Sequence, residues 1–235
     1  MNHLLSKIGS YPFEKLNLLH KDIKPSKEVI NLSIGEPKLN ADSKVLDILN
    51  KETNSFSNYP PMNAVPELSE AYRQYLKNHF GIENVAEDEV CLVAGTREGT
   101  FSIIQALFNK ENVKEKPYVV MPNPFYQIYG GATTLAGGEA KFLDCPEEDN
   151  FQPDLDSLKS EDWQKCQILV LCSPNNPTGS VLPLSKLKNI LDLAEKYDFY
   201  VVSDECYVDL YTSEKSCPSI LQASSDRSDR LIALH

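Results

Sequence analysis

At 235 residues the chain is long enough for one large α/β domain with a substantial core, and 34 acidic against 23 basic residues leave a net charge of −11. It carries no basic stripe that would track a phosphate backbone, which argues against a nucleic-acid partner. The six cysteines (Cys91, Cys145, Cys166, Cys172, Cys206, Cys217) show no close paired spacing, and most lie in or beside apolar runs. That is the pattern of reduced core thiols rather than of a zinc or disulfide framework.

In chain order, Met1 to Leu16 carries Lys7, Pro12 and Glu14 among its apolar residues and so lacks the continuous core of a signal peptide. No run approaches membrane-spanning length, so a soluble cytoplasmic protein is expected. The first forty residues read as irregular, with a possible short strand at Asn31-Leu32-Ser33-Ile34 that stops at Gly35-Glu36-Pro37. Residues 1–40 are therefore read as an arm or part of a small domain, and 41–235 as the large domain. Val45, Leu46, Ile48 and Leu49 suggest a short helix. Val65, Leu68, Ala71, Tyr72, Tyr75 and Leu76 mark a longer one that Gly81 ends, and both are expected to pack on a sheet. Strand and helix then alternate: strand Glu89 to Ala94, helix Glu98 to Phe108, strand Tyr118 to Met121, helix Phe125 to Leu135 and strand Ala140 to Leu143. That alternation predicts an α/β fold with a mostly parallel sheet.

The most informative stretch follows. Gln167 to Cys172 runs into Ser173-Pro174-Asn175-Asn176-Pro177-Thr178-Gly179, and Phe199 to Ser203 runs into Asp204-Glu205-Cys206-Tyr207. Between them Leu184, Leu187, Ile190, Leu191 and Ala194 recur at helical spacing, so the unit reads as strand, crossover helix, strand. Such a crossover makes a right-handed parallel pair, which brings both polar clusters to the carboxyl edge where open α/β sheets bind ligands. Arg230 to His235 reads as one more strand. No helix follows to cover a face that such sheets normally bury, so a truncated chain is expected.

Three groups carry candidate chemistry. Gly95-Thr96-Arg97-Glu98-Gly99-Thr100 sits at a strand-to-helix junction, where free N–H groups and the helix dipole favour an anion such as phosphate; an ordinary glycine turn and cap would read the same way. Asp204, at the end of an apolar strand, places a carboxylate where an unpaired charge is costly. It is either a turn or cap aspartate or the partner of a protonated heteroaromatic nitrogen, with the Tyr207 phenol aimed at the same ligand. Asn176 offers a donor and an acceptor from the neighbouring strand end, and its bond to Pro177 is a candidate cis peptide. Tyr126, after Pro122-Asn123-Pro124, offers an aromatic face or is a core tyrosine.

Ser-Pro-Asn-Asn-Pro-Thr-Gly, Ser-Asp-Glu-Cys-Tyr, the Gly95 to Thr100 turn, Asn31 to Pro37 and Tyr59-Pro60-Pro61, in this order, closely resemble the class I/II aminotransferases, fold type I enzymes that use pyridoxal 5'-phosphate. The resemblance implies a three-layer α/β large domain, incomplete at the carboxyl terminus. It implies that Asp204 pairs with the pyridinium nitrogen, Tyr126 stacks on the ring, and Asn176 and Tyr207 bond the phenolic oxygen. Gly95, Thr96 and Arg97 would take the phosphate, and Tyr59 would reach the phosphate of a partner subunit in a homodimer. Gly35 and Asn176 would lie beside the substrate, an amino acid or a 2-oxo acid. The family's Schiff-base lysine falls a few residues beyond a strand like Leu231 to His235, so no catalytic lysine is assigned and the chain alone is expected to be inactive. The family's sheet also needs a later antiparallel strand beside Glu89 to Ala94.

Within the family, Tyr11 to Leu16, Gly35 to Lys38 and the glycine-containing helix from Phe125 to Gly138 look like bacterial N-succinyldiaminopimelate aminotransferases of lysine biosynthesis. An aspartate or aromatic aminotransferase is the near alternative. A carbon-sulfur lyase on the same scaffold, or a non-catalytic relative such as a regulator or a dead fragment, comes from a different class. A regulator would need a basic DNA-binding domain that residues 1–30 are too few to form.

Overall fold

The computed structural model describes residues 2–35, 39–57, 59, 65–111, 116–210, 217–224 and 228–235. They divide into two compact units, residues 9–65 and the remainder. In the smaller unit, helix α1 spans Pro12–His20 and α2 spans Ser43–Lys51, started by the Asp42 side chain, which accepts from the Lys44 N–H at 2.8 Å. The expected short helix is thus present. Within its unit α2 buries none of its residues, with Val45, Leu46, Ile48 and Leu49 exposed. Asn31 to Ile34 forms no strand.

The larger unit holds α3 (Pro66–Phe80), α4 (Thr96–Leu107), β1 (Tyr118–Asn123), α5 (Gln127–Leu135) and β2 (Glu139–Asp144). It continues with α6 (Ser160–Trp163), β3 (Cys166–Cys172), α7 (Leu184–Tyr197), β4 (Tyr200–Asp204) and β5 (Leu231–Leu234). Helix α3 stops at Gly81, whose φ of +67° is the left-handed conformation that ends many helices, as the sequence predicts. The five strands form one parallel sheet in the order β2-β1-β3-β4-β5. Chain progression therefore reverses between β1 and β3, and a crevice opens at the carboxyl ends of such a reversal.

Period-two alternation sorts the strand side chains between two cores. Leu169, Leu171 and Val201 join Leu187, Ile190 and Leu191 of α7 on one face. Val119, Met121, Ile168, Val170 and Val202 join Ile104 of α4 and Tyr129 of α5 on the other. The sheet is thus covered on both faces, the three-layer arrangement expected of buried parallel strands. By the same alternation Asp204 falls in line with Val202 and shares the face of α4 and α5.

One predicted strand is absent. Residues 90–94 join no ladder, although Val90 has an extended backbone at φ −107° and ψ 118°. Leu92 and Val93 are partly exposed. A strand exists only when a neighbour accepts its hydrogen bonds, and none of the described strands pairs with this segment. No helix among the described residues is long and apolar enough to cross a membrane.

Candidate active site

Three strand ends and one helix start converge at the carboxyl edge. Thr96, Arg97, Tyr126, Asn176, Asp204 and Tyr207, all singled out from the sequence, line one cavity of about 150 Å³. Tyr129, Cys172 and Cys206, which the sequence reading passed over as site residues, line it with them. A wider groove of about 230 Å³ beside α3 holds none of these residues. Its charges answer one another, Arg73 with Glu70 and Lys77 with Glu83.

Asp204 is only 4% exposed, and among the described residues it has no ion-pair partner. Its Oδ2 accepts a 2.7 Å hydrogen bond from the Tyr129 hydroxyl, whereas Oδ1 receives the Cys206 N–H at a longer 3.4 Å, and the Cys206 thiol also bonds the carboxylate. Register explains the placement: Cys172 pairs with Asp204 across β3 and β4, so the end of each strand delivers its side chains to the same rim. The Asn176 amide donates to the Tyr207 hydroxyl at 3.4 Å, which joins the two strand ends directly. The Asn176–Pro177 peptide is cis.

The carboxylate sets the tone of its surroundings. Burial first, and the Asp204 charge second, push the Tyr129 phenol far above its ordinary range and the Cys172 thiol up to about 11. The same two causes push Cys206 up to about 12. Burial also raises Tyr207. Tyr129, Cys172, Cys206 and Tyr207 are therefore held as neutral groups around one acid.

The opposite wall is the start of α4. Gly95 has φ +121°, outside the reach of ordinary side chains, and its carbonyl accepts the first helical bond from Gly99 at 2.9 Å. The N–H groups of Thr96 and Arg97 are donors of the helix start without an intrahelical partner. Arg97 forks onto Glu98, with 2.6 and 3.0 Å contacts to Oε1. The Glu98 hydrogen bond, then the Glu98 charge and Tyr126, raise Arg97; Arg97 and the backbone N–H of Glu98 lower the Glu98 carboxyl in return. The turn thus already gathers an anionic group, as a helix N-terminus does.

Two expected residues are not among those brought together. Gly35 and Tyr59 belong to the smaller unit, where Tyr59 is fully exposed. Glu36, Pro37, Lys38, Pro60 and Pro61, which carried part of the resemblance, lie outside the described residues. Tyr129 was legible only as the residue one helical turn beyond Tyr126.

Comparison with known proteins decides the family. The model of the family described as aminotransferase class I and II matches residues 27–234. The chain belongs to that family. It is similar to an LL-diaminopimelate aminotransferase of Aquifex aeolicus, 29% identical over 93% of this chain and 56% of that protein. It is similar also to an aspartate aminotransferase of Pyrococcus horikoshii, 30% identical over 88% of this chain and 52% of that protein. Among solved structures it superimposes on an aminotransferase from Neisseria meningitidis with a TM-score of 0.91 and 38% identity, covering 99% of this chain and 60% of that one. The chain thus spans between half and two thirds of the length of these relatives.

Pyridoxal 5'-phosphate is the cofactor of the family, and the cavity fits it chemically. A buried carboxylate with no described cation beside it suits a ring cation, and the helix start suits a phosphate. No lysine is among the described residues that line the cavity.

Proposed function

We propose that the full-length protein carrying this chain is a pyridoxal-phosphate-dependent aminotransferase that moves an amino group between an amino acid and a 2-oxo acid. The observation that supports it is Asp204: a buried carboxylate, tied to Tyr129, in a cavity shared with Tyr126, Asn176, Tyr207 and the Thr96–Arg97 turn. When bound, the cofactor supplies an electron sink that eases loss of the substrate α-proton. In this reading Asp204 holds the pyridine nitrogen in its cationic form, because a buried anion favours the charged state of its neighbour. Tyr126 covers the ring face. Asn176 and Tyr207 address its phenolic oxygen. Gly95, Thr96 and Arg97 hold the phosphate, Gly35 borders the substrate carboxylate, and Tyr59 serves the phosphate of the partner subunit in a homodimer.

The substrate pair we propose is N-succinyldiaminopimelate with 2-oxoglutarate, in lysine biosynthesis. It draws support from the Tyr11 to Leu16 and Phe125 to Gly138 segments; relatives named for LL-diaminopimelate point to the same carbon skeleton without the succinyl group and so name a competing substrate. The test is a transamination panel on the full-length protein: N-succinyl-LL-diaminopimelate, LL-diaminopimelate and aspartate, each with 2-oxoglutarate. The succinylated donor is expected to give glutamate with the highest kcat/KM, by tenfold or more at roughly 1.4 kcal/mol of discrimination. A preference for either free amino acid would overturn the substrate, and release of pyruvate and ammonia from a sulfur amino acid without glutamate would overturn the reaction class.

A further inference from the structure

Tyr129 has no role in the reading above beyond its contact with Asp204, and its surroundings are those of a core residue. Its ring is fully buried among Val119, Met121, Ile168, Val170 and Val202, where a phenylalanine would supply the same apolar contacts. The hydroxyl is what the core does not require. It donates to Asp204 Oδ2 at 2.7 Å, a buried hydrogen bond between side chains 75 positions apart in the chain. A hydroxyl that donates to a carboxylate makes a stronger bond than one between neutral groups, and it fixes which oxygen is used.

Two further observations show what that fixing accomplishes. The backbone contact on the second oxygen, Oδ1, is the long one, 3.4 Å from the Cys206 N–H, and the carboxylate's other partner is the weak donor of the Cys206 thiol, so the Tyr129 hydroxyl makes the short bond to this buried acid. Tyr129 also stands one helical turn from Tyr126 on α5, and the two rings meet edge to face at 5.8 Å and 88°. One residue therefore touches both the acid and the aromatic ring proposed to grip the cofactor.

We propose that Tyr129 is a positioning residue: by engaging Oδ2 of Asp204 and bracing Tyr126, it turns Oδ1 to the heteroaromatic nitrogen of the cofactor. This rests on the assignment of Asp204 as the ring nitrogen's partner. Cys172, which also lies beside the Tyr129 hydroxyl, directs its Sγ to the Pro174 carbonyl at 3.2 Å.

The test uses the full-length protein, with equilibrium affinity measured for pyridoxal 5'-phosphate and for its 1-deaza analogue, in which the ring nitrogen is a CH group. The ratio of the two affinities isolates the nitrogen contact, since phosphate, phenol and aldehyde are common to both. In Tyr129→Phe the affinity for pyridoxal 5'-phosphate is expected to fall by about tenfold, the scale of a lost hydrogen bond to a charged group, while that for the analogue is nearly unchanged. Tyr129→His, which keeps a ring N–H donor, is expected to recover part of the ratio. Equal losses for both ligands would show a packing role only and overturn the proposal, and so would no loss for either. A wild-type protein that fails to distinguish the two ligands would instead overturn the assignment of Asp204 on which the proposal rests. If Tyr129→Phe does not fold, the same ratio is compared between Tyr129→His and Tyr129→Met, where indifference between them overturns it.

Discussion

Asp204 governs chemistry beyond its own contacts. Cys206 is exposed, yet burial of its thiol and the Asp204 charge push its pKa up to about 12, so it is a neutral thiol throughout the physiological range. Thiolate, not thiol, reacts with alkylating agents, and a raised pKa keeps the reactive fraction low until the pH nears that value. Removing the neighbouring negative charge lowers the thiol pKa and raises the thiolate fraction. Asp204→Asn is therefore expected to speed iodoacetamide labelling of the Cys206 peptide several-fold at about pH 8, read by mass spectrometry. Unchanged labelling would contradict the electrostatic account. Asp204, Asn176 and Tyr207 were legible because each lies within a few positions of an apolar strand end. The importance of Tyr129 was not, since its acceptor lies 75 positions away and nothing local marks the pairing.

At the scale of the element, the turn after β4 is pinned by a second acid with a structural task. Glu205 is 1% exposed; its Oε1 accepts from the Ser203 hydroxyl and the Ile220 N–H, each at 2.8 Å. Its Oε2 lies 3.1 Å from His235 Nε2, and the other ring nitrogen of that histidine is 2.5 Å from the Tyr72 hydroxyl. The chain from α3 through β5 to β4 thus holds the segment that begins at Asp204 and ends at Tyr207. Glu205→Ala leaves buried donors unpaired, and a loss of about 3 kcal/mol is expected in urea unfolding of the full-length protein. Glu205→Gln, which keeps one acceptor for the Ile220 N–H, is expected to lose less. Equal stability of the alanine variant and wild type would remove Glu205 from this role. β3 and β4, which carry their own crossover helix, α7, were read to within a residue. Residues 90–94 show the limit. An apolar extended run or an amphipathic helix is written locally, but the ladder or surface that completes it is a long-range fact.

For the molecule as a whole, strand order converts separate motifs into one site. The sequence β2-β1-β3-β4-β5 places the reversal of chain direction between β1 and β3, and the residues that follow β1, β3 and β4 therefore meet at one rim. Among the described residues that line the cavity, Arg97 is the basic one. Family membership and the three-layer sheet were readable from motif order. The relation of Gly35 and Tyr59 to the cavity was not, because both belong to the smaller unit. The central claim is that Asp204 receives the cofactor's ring nitrogen. Pyridoxal 5'-phosphate titrated into the full-length protein and its Asp204→Ala variant tests it most directly. The account predicts a loss of affinity on the order of a hundredfold, about 3 kcal/mol, with loss of transamination. Wild-type affinity and wild-type turnover in the variant would contradict it.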